Sequence, residues 1–251
     1  MREITDHDEL LRRCDGDAMC VWTAQGLTGG RRAWADADGA AVVVAGAELC
    51  RHDRLAVHGS PEALVPLVRE VLSETGPGYR PFGDPERIAA LVAGVPELVE
   101  VGSFGWMDLI PPTPTPVPDD RRVRWLTEDA TDEVVALIES GFPSSYAKPG
   151  LPGVERWAGV RDADGTLPAV AALAWSAPSI GFLAGVGVAP AARGRGLGRI
   201  VCAFVLAEAR GRHGGAALMV DEWNHTAIRM YEGLGMTYRP VKAAAWSGRA
   251  G

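Results

Sequence analysis

Lysine is almost absent from this chain of 251 residues, in which Lys148 and Lys242 are the only lysines among 25 basic residues. The chain also lacks any uninterrupted apolar run of 18 residues, so we expect no membrane-spanning helix. Its first residues are acidic and contain no apolar core segment, which argues against a secretory signal peptide. Four cysteines without a C-x-x-C pair or metal-ligand spacing predict free thiols, no metal site and a cytoplasmic location.

Basic charge is scarce in the first half of the chain. Residues 1–118 hold 18 acidic and 10 basic side chains, whereas residues 119–251 hold 14 and 15. An acidic first half gives no electrostatic footprint for nucleic acid, so we predict neither a nucleic-acid nor a membrane partner. A hydrophobic content of 47% is typical of a globular protein with an ample core. None of these features indicates an oligomeric state.

A proline-rich stretch lies between the two halves. Residues 111–118 contain five prolines, which favour an extended backbone and prevent a helix or an interior strand. We interpret residues 111–120 as a linker that separates a domain of residues 1–110 from a domain of residues 121–251. The alternative is an ordered surface strap within one domain.

The first half shows secondary structure but no site motif. We predict a helix at Asp6–Arg13, a short strand at Ala18–Thr23 and a buried strand at Ala41–Ala45. Ser60 followed by Pro61 predicts the start of a further helix. The alternation of strands and helices indicates a small α/β or α+β domain of unknown role.

The second half is organised around a Gly-rich and Arg-rich loop. An apolar run, Ile180–Val188, stops at Pro190, and an amphipathic helical pattern begins after the loop. The loop contains glycines at positions 194, 196 and 198. A helix N-terminus offers unpaired N–H groups, and glycines allow an anion to approach them, so the loop predicts a pyrophosphate site. The alternative is a strand-to-helix turn without a ligand.

Two nucleotide-binding loops can be excluded by their spacing. The loop lacks the Gly-Lys-Ser/Thr ending of a Walker motif and the G-x-G-x-x-G spacing of a dinucleotide fingerprint. Instead, Arg193-x-x-Gly196-x-Gly198, preceded by Val186, Val188 and Pro190, resembles motif A of the GNAT superfamily of acetyl-CoA-dependent N-acetyltransferases.

A second motif follows about 30 residues later. Asn224-x-x-Ala227-x-x-Met230-Tyr231, continued by Gly235, resembles motif B of the same superfamily. Asn224 and Tyr231 are seven residues apart, so two helical turns place them on one face. A capping role for Asn224 and a core position for Tyr231 are the alternative.

The resemblance implies the fold of residues 121–251. We expect a GNAT fold of the α/β (α+β) class, with a mixed, mostly antiparallel sheet flanked by helices in the order β-α-β-β-β-α-β-α-β. The usual second helix would fall within the irregular segment 142–153. The element order of residues 1–110 permits a degenerate GNAT-like copy, although no Arg-Gly loop supports one there.

The resemblance also implies a cofactor, an acceptor and a set of site residues. The cofactor would be acetyl-CoA or another acyl-CoA, and the acceptor a primary amine of a small molecule or peptide. Tyr231 would act as general acid on the departing thiolate of coenzyme A. The expected cofactor-binding residues are Val186, Gly187, Val188, Arg193, Gly194, Arg195, Gly196, Leu197, Gly198, Arg199 and Asn224.

The general base and the alternative function stay open. Many relatives carry a glutamate on the fourth strand, but Ile180–Val188 contains no carboxylate. Asp221 and Glu222 are the nearest acidic pair, Asp108 and Glu155 are weaker candidates, and we assign none of them. A non-catalytic acyl-CoA-binding or regulatory domain is therefore the alternative to an acyltransferase.

Overall fold

A computed structural model describes residues 1–111 and 120–248. The chain divides into two compact units. The N-terminal unit comprises Met1–Trp106, Val220–Trp223 and the chain from Arg239 on, and the C-terminal unit comprises Met107–Met219 and Asn224–Tyr238. The proposed linker at 111–120 lies, apart from its two end residues, outside the described part of the chain, so that boundary stays a prediction.

The N-terminal unit alternates short helices with strands. Its elements are β1 (Arg2–Ile4), α1 (His7–Arg13), α2 (Ala18–Ala24), β2 (Arg32–Ala35), β3 (Ala41–Leu49), β4 (His52–Gly59), α3 (Pro61–Thr75), β5 (Arg80–Gly83), α4 (Pro85–Gly94) and β6 (Leu98–Leu109). Strands β1 to β4 pair antiparallel in sequence order, and β4 then pairs parallel with β5.

The C-terminal unit repeats this order with one helix fewer. Its elements are β7 (Val123–Trp125), α5 (Thr131–Gly141), β8 (Val154–Val160), β9 (Ala169–Ala174), β10 (Ile180–Val188), α6 (Leu197–His213), β11 (Gly215–Val220) and α7 (His225–Glu232). Strands β7 to β10 pair antiparallel, and β10 pairs parallel with β11. The last strand, β12 (Thr237–Trp246), pairs antiparallel with β5.

These arrangements confirm the predicted fold class. The C-terminal half has the expected β-α-β-β-β-α-β-α-β order, and its sheet is mostly antiparallel. The segment 142–153 is irregular, as expected, and contains turns but no helix, so the usual second helix of the fold is not formed there. Since both units share three antiparallel pairings followed by one parallel pairing, the N-terminal unit is a second copy of the same topology.

Local sequence signals explain where the main helices begin. The Ser60 side chain accepts a hydrogen bond from Ala63 N at 3.4 Å, and Pro61 occupies the first turn of α3. Asp84 caps α4 in the same way through Glu86 N. Within residues 1–111 and 120–248, no helix has the length and apolarity needed to cross a bilayer.

One secondary-structure prediction is wrong. The apolar segment predicted as a strand at Ala18–Thr23 forms α2. The Asp17 carboxylate accepts hydrogen bonds from Met19 N and Cys20 N and so fixes the first turn. Every residue of α2 is buried, so no polar face interrupts the apolar run and the helical period is invisible in the sequence.

Candidate functional site

Strand β10 leaves its parallel neighbour part-way along its length. The ladder with β11 joins Ile180–Phe182 to Gly215–Ala217. Beyond Phe182, the ladder pairs that the described residues give β10 are with β9 alone. The backbone of β10 from residue 183 to 188 therefore has an edge to which an extended ligand could add hydrogen bonds.

A bulge at Gly185 accompanies this divergence. The register with β9 shifts between Ala184 and Gly187, and Gly185 has a φ of +58°. A Cβ at Gly185 would lie 2.5 Å from Cη2 of Trp157, so the position requires glycine for both its backbone angle and its packing. The sequence showed the glycine but not the bulge.

The residues after the bulge alternate in burial. Gly187 is buried, and a Cβ there would lie 3.0 Å from Cδ1 of Ile138 on α5. Val186 and Val188 are half-buried on either side of it. The two predicted valines thus flank a glycine whose close packing places the β10 backbone against α5.

The loop after β10 is open. Residues 193–196 are exposed, and Gly194 and Gly196 have φ angles of +78° and +74°. A Cβ at either glycine would meet no atom within 4 Å. Leu197 is buried and anchors the first turn of α6 in the core. The glycines therefore serve the turn and leave free space in front of the helix.

The N-terminus of α6 carries no negatively charged side chain of its own. Its N-cap residue is Gly196, no side chain caps the first turn, and that turn contains no acidic residue. The corresponding helix of the N-terminal unit, α3, is capped by Ser60 and carries Glu62 in its first turn. Both helices follow the fourth strand of the same topology, and of the two only α6 begins without a side-chain cap or an acidic residue in its first turn.

Three arginines surround this helix start. Arg193 Nη2 donates to Gly141 O at 3.1 Å, at the end of α5, and Arg199 Nη2 donates to Gly233 O at 2.8 Å, after α7. Arg195 instead forms an ion pair with Asp162, with Nη2 and Oδ2 3.0 Å apart. Arg193 and Arg199 therefore keep their positive charge uncompensated by a carboxylate among the described residues, whereas Arg195 does not.

Asn224 is placed at the start of α7. Its Oδ1 accepts a hydrogen bond from Ala227 N at 3.1 Å, so the side-chain oxygen caps the helix. The structure thus shows the capping role that the sequence left as an alternative, and the amide NH₂ is the side chain's remaining donor.

Tyr231 lies near the end of α7 and is only 5% exposed. The phenol interacts with Cys202, a buried residue of α6. Burial raises the pKa of the Tyr231 phenol well above its usual value, and Cys202 adds to the effect. Burial likewise raises the pKa of the Cys202 thiol to about 12. Both groups are therefore neutral at physiological pH, and the phenol keeps a proton that it can donate.

Comparison with known protein families identifies the domain to which these residues belong. Residues 119–236 match the model of the acetyltransferase (GNAT) family. This part of the chain is a GNAT acetyltransferase domain. A comparison with curated proteins gives no match.

Solved structures show how far the fold extends. A GCN5-related N-acetyltransferase from Kribbella flavida is 17% identical with a TM-score of 0.59, and 95% of this chain covers 96% of that one. A Drosophila protein is 16% identical with a TM-score of 0.62, and the match covers 98% of this chain and 97% of that one. A GCN5-related N-acetyltransferase from Sphaerobacter thermophilus is 16% identical with a TM-score of 0.54. The match covers 85% of this chain and 79% of that one. The shared fold therefore includes the N-terminal part of the chain.

The described residues of the GNAT domain show no evident general base. Strand β10 carries no carboxylate, and Glu155 uses Oε1 to accept from Ser176 N at 2.9 Å. Asp221 and Glu222 belong to the N-terminal unit, where Glu222 accepts a hydrogen bond from Ser103. We assign no base.

Sequence reasoning missed three residues that contact the candidate site. Cys202 contacts Tyr231, Asp162 neutralises Arg195, and Trp157 packs on the bulge. The apolar face of α6 predicts that Cys202 is buried, but its partner lies 29 positions later in the chain. No sequence pattern connects residues across such a distance.

Proposed function

We propose that this protein transfers an acetyl group from acetyl-CoA to a primary amine of a small molecule or peptide. The observation that carries the proposal is the uncapped N-terminus of α6 behind Gly194 and Gly196, both of which leave open space. Membership of residues 119–236 in the GNAT family supports acyl transfer as the chemistry.

The loop and the start of α6 would hold the pyrophosphate of coenzyme A. The N–H groups from Gly194 to Gly198 would supply donors, whereas the N–H of Arg193 already donates to Pro190 O at 3.4 Å. The helix dipole favours negative charge at this end. Arg193 and Arg199 are held by main-chain carbonyls at the ends of α5 and α7, so their charge stays close to the loop. The residues present therefore suit a diphosphate.

The open edge of β10 would bind the pantetheine arm as an added strand. Val186 and Val188 lie on that edge, and their main-chain groups would pair with the pantetheine amides. A main-chain N–H near Val186 would stabilise negative charge on the carbonyl oxygen during transfer. The Nδ2 group of Asn224 would be a further donor to pantetheine, since Oδ1 caps α7.

Tyr231 would act as the general acid for the departing thiolate. Its raised pKa keeps the hydroxyl protonated throughout the physiological pH range. A buried O–H donor is also a strong hydrogen-bond partner for a developing negative charge. When bound, acetyl-CoA supplies an activated acyl group, and the acceptor amine must be neutral when it attacks.

A panel of primary amines tests this function. We expect thiol release from acetyl-CoA that depends on one of the amines, and a fall of about 10²- to 10⁴-fold in kcat for Tyr231→Phe with little change in KM for acetyl-CoA. Coenzyme A binding without turnover on any amine would instead favour the alternative of an acyl-CoA-binding or regulatory domain. The lack of a carboxylate on β10 favours that alternative.

A further inference from the structure

Basic side chains share one face of the sheet in the N-terminal unit. Arg54 on β4 and Arg80 on β5 are register partners in the parallel ladder between these strands, so their side chains lie on the same face. His52 precedes Arg54 by two residues on β4 and therefore lies on this face as well. Two positive charges at paired positions repel each other, and an anion bound beside them relieves that repulsion.

His52 holds the guanidinium of Arg80. The Nη1 atom of Arg80 lies 3.3 Å from Nε2 of His52. Because a guanidinium has only donors, Nε2 accepts this hydrogen bond. Burial and, after it, the charges of Arg80, Arg54 and Arg51 lower the pKa of His52 to about 4, so the ring is neutral at physiological pH. The neutral ring orients the guanidinium without adding a charge.

The opposite edge of the Arg80 guanidinium is open. Nε and Nη2 have no acceptor among the described residues, and neither atom is buried, so both are accessible to solvent. Nε–H and Nη2–H point in parallel and form the fork that donates to two oxygens of one oxyanion. Arg80 also forms no ion pair with a described carboxylate. The fork is therefore oriented, accessible and uncompensated.

The charges around the fork favour a dianion. Arg54 is only 6% exposed, and its Nε donates to a main-chain carbonyl of β3 at 2.9 Å, so its charge is held in place. Arg51, at the exposed turn between β3 and β4, is close enough to act on His52. Asp53 points to the opposite face, where its Oδ1 accepts from Glu48 N at 3.0 Å. Positive charge thus exceeds negative charge on this face, so a dianion gains more than a monoanion.

We propose that Arg80 is the centre of a binding site for a phosphate-type dianion in the N-terminal unit. Its Nε–H and Nη2–H donate to two oxygens of the anion, and His52 keeps the guanidinium in position. Arg54 and Arg51 add positive charge. The site belongs to the unit that lacks the Gly-rich loop, and the proposal concerns binding alone and does not rest on acyl transfer.

The probe is inorganic phosphate, titrated at pH 7 and constant ionic strength. Binding is followed by ¹H–¹⁵N spectra of the arginine Nε–H groups, and Arg80→Lys identifies the Arg80 signal by its loss. We expect a saturable downfield shift of that signal, because Nε–H gains an acceptor. Acetate, a monoanion, should bind about tenfold more weakly, and chloride at the same ionic strength should produce no saturable shift. Methyl phosphate is titrated in parallel, and the tighter of the two binders identifies free phosphate or a phosphate ester as the ligand class.

Variants separate the fork from general charge effects, with the His52 ring signals as the readout. Arg80→Gln should weaken phosphate binding about tenfold or more. Arg80→Lys keeps the charge but lacks the fork and should weaken binding about threefold or more. Arg12→Gln removes an exposed arginine of α1 in the same unit and should leave binding unchanged. Equal effects of Arg80→Gln and Arg12→Gln, full binding by Arg80→Lys, or an unmoved Arg80 signal would overturn the proposal.

A separate titration keeps this site distinct from the proposed function. Coenzyme A should bind to Arg80→Gln with the same affinity as to the wild type, because its proposed site lies in the other unit. Unchanged coenzyme A binding alongside an unmoved Arg80 signal would refute the Arg80 site alone and leave the proposed function intact.

Discussion

Arg195 and Asp162 form an ion pair beside the open loop, with Nη2 of the arginine 3.0 Å from Oδ2 of the aspartate. Arg122 approaches the same carboxylate at 3.6 Å. The aspartate therefore acts as an internal counter-ion for one of the three arginines that flank the proposed pyrophosphate site. A bound diphosphate has to compete with it for Arg195.

Removal of this counter-ion should strengthen cofactor binding. We expect Asp162→Asn to lower the Kd for coenzyme A about two- to fivefold at low salt, since exposed ion pairs contribute less than about 1 kcal/mol. The gain should shrink as salt is added. Isothermal titration calorimetry at two ionic strengths measures both effects.

The control for this variant is Glu133→Gln. It removes a comparable exposed pair, with Arg161 at 2.8 Å, from the same unit. Its Kd for coenzyme A should match that of the wild type. Equal tightening by both variants would show that overall charge, rather than the Asp162–Arg195 pair, sets the affinity.

The buried Cys202 predicts a loss of stability in alkaline solution. Its folded pKa of about 12 lies above the usual value of about 8.5, so above pH 8.5 the unfolded chain binds fewer protons than the folded one. Its contribution is complete below about pH 8.5 and is lost as the pH rises towards about 12. Urea unfolding at pH 7 and pH 10 should show the fall.

Cys202→Ser isolates this effect. A serine hydroxyl is similar in size and polarity to the thiol but does not ionise in this range. The stability lost between pH 7 and pH 10 should therefore be smaller in the variant than in the wild type. An identical loss in both would mean that other groups, such as the buried Cys50 with a pKa of about 12, account for the alkaline behaviour.

The bulge in β10 should not tolerate a side chain. Gly185→Ala would place Cβ 2.5 Å from Trp157 at a φ of +58°, and we expect a cost of about 2–4 kcal/mol in the free energy of unfolding. Gly198→Ala is the matched variant, because its Cβ would lie an ordinary 3.4 Å from Val188 within a helix. It should leave stability unchanged or raise it by about 1 kcal/mol. Similar denaturant midpoints for the two variants would contradict this account of the bulge.

Local signals in the sequence predicted much of the fold. Ser60 and Pro61 marked the start of α3, and the apolar run at 180–188 marked β10 at both of its ends. The fully buried α2 was misread, because a helix without a polar face has no visible period. The burial of α2 on all sides in the folded chain, which local sequence patterns do not show, explains why its prediction was wrong.

The candidate site was predictable where its residues are adjacent in the chain. The structure of the Arg193–Gly198 loop consists of a turn and a helix start, and the sequence of the loop itself indicates both. The contacts of Asp162 and Cys202 depend on which strands and helices pack together, so they required the structure. The sequence offered the capping role of Asn224 as an alternative, and only the packing of the folded chain shows that the side chain takes that role.

The most direct measurement is a calorimetric titration of coenzyme A into the wild type, Gly196→Asn and Gly196→Asp. Both side chains enter open space at a φ that Asn and Asp tolerate, so both variants should fold. The account predicts binding by the wild type, modest weakening in the Asn variant, and a further loss of about a hundredfold in the Asp variant from its charge at the helix N-terminus. No binding by the wild type, or equal affinities for the Asn and Asp variants, would contradict a diphosphate held at this loop.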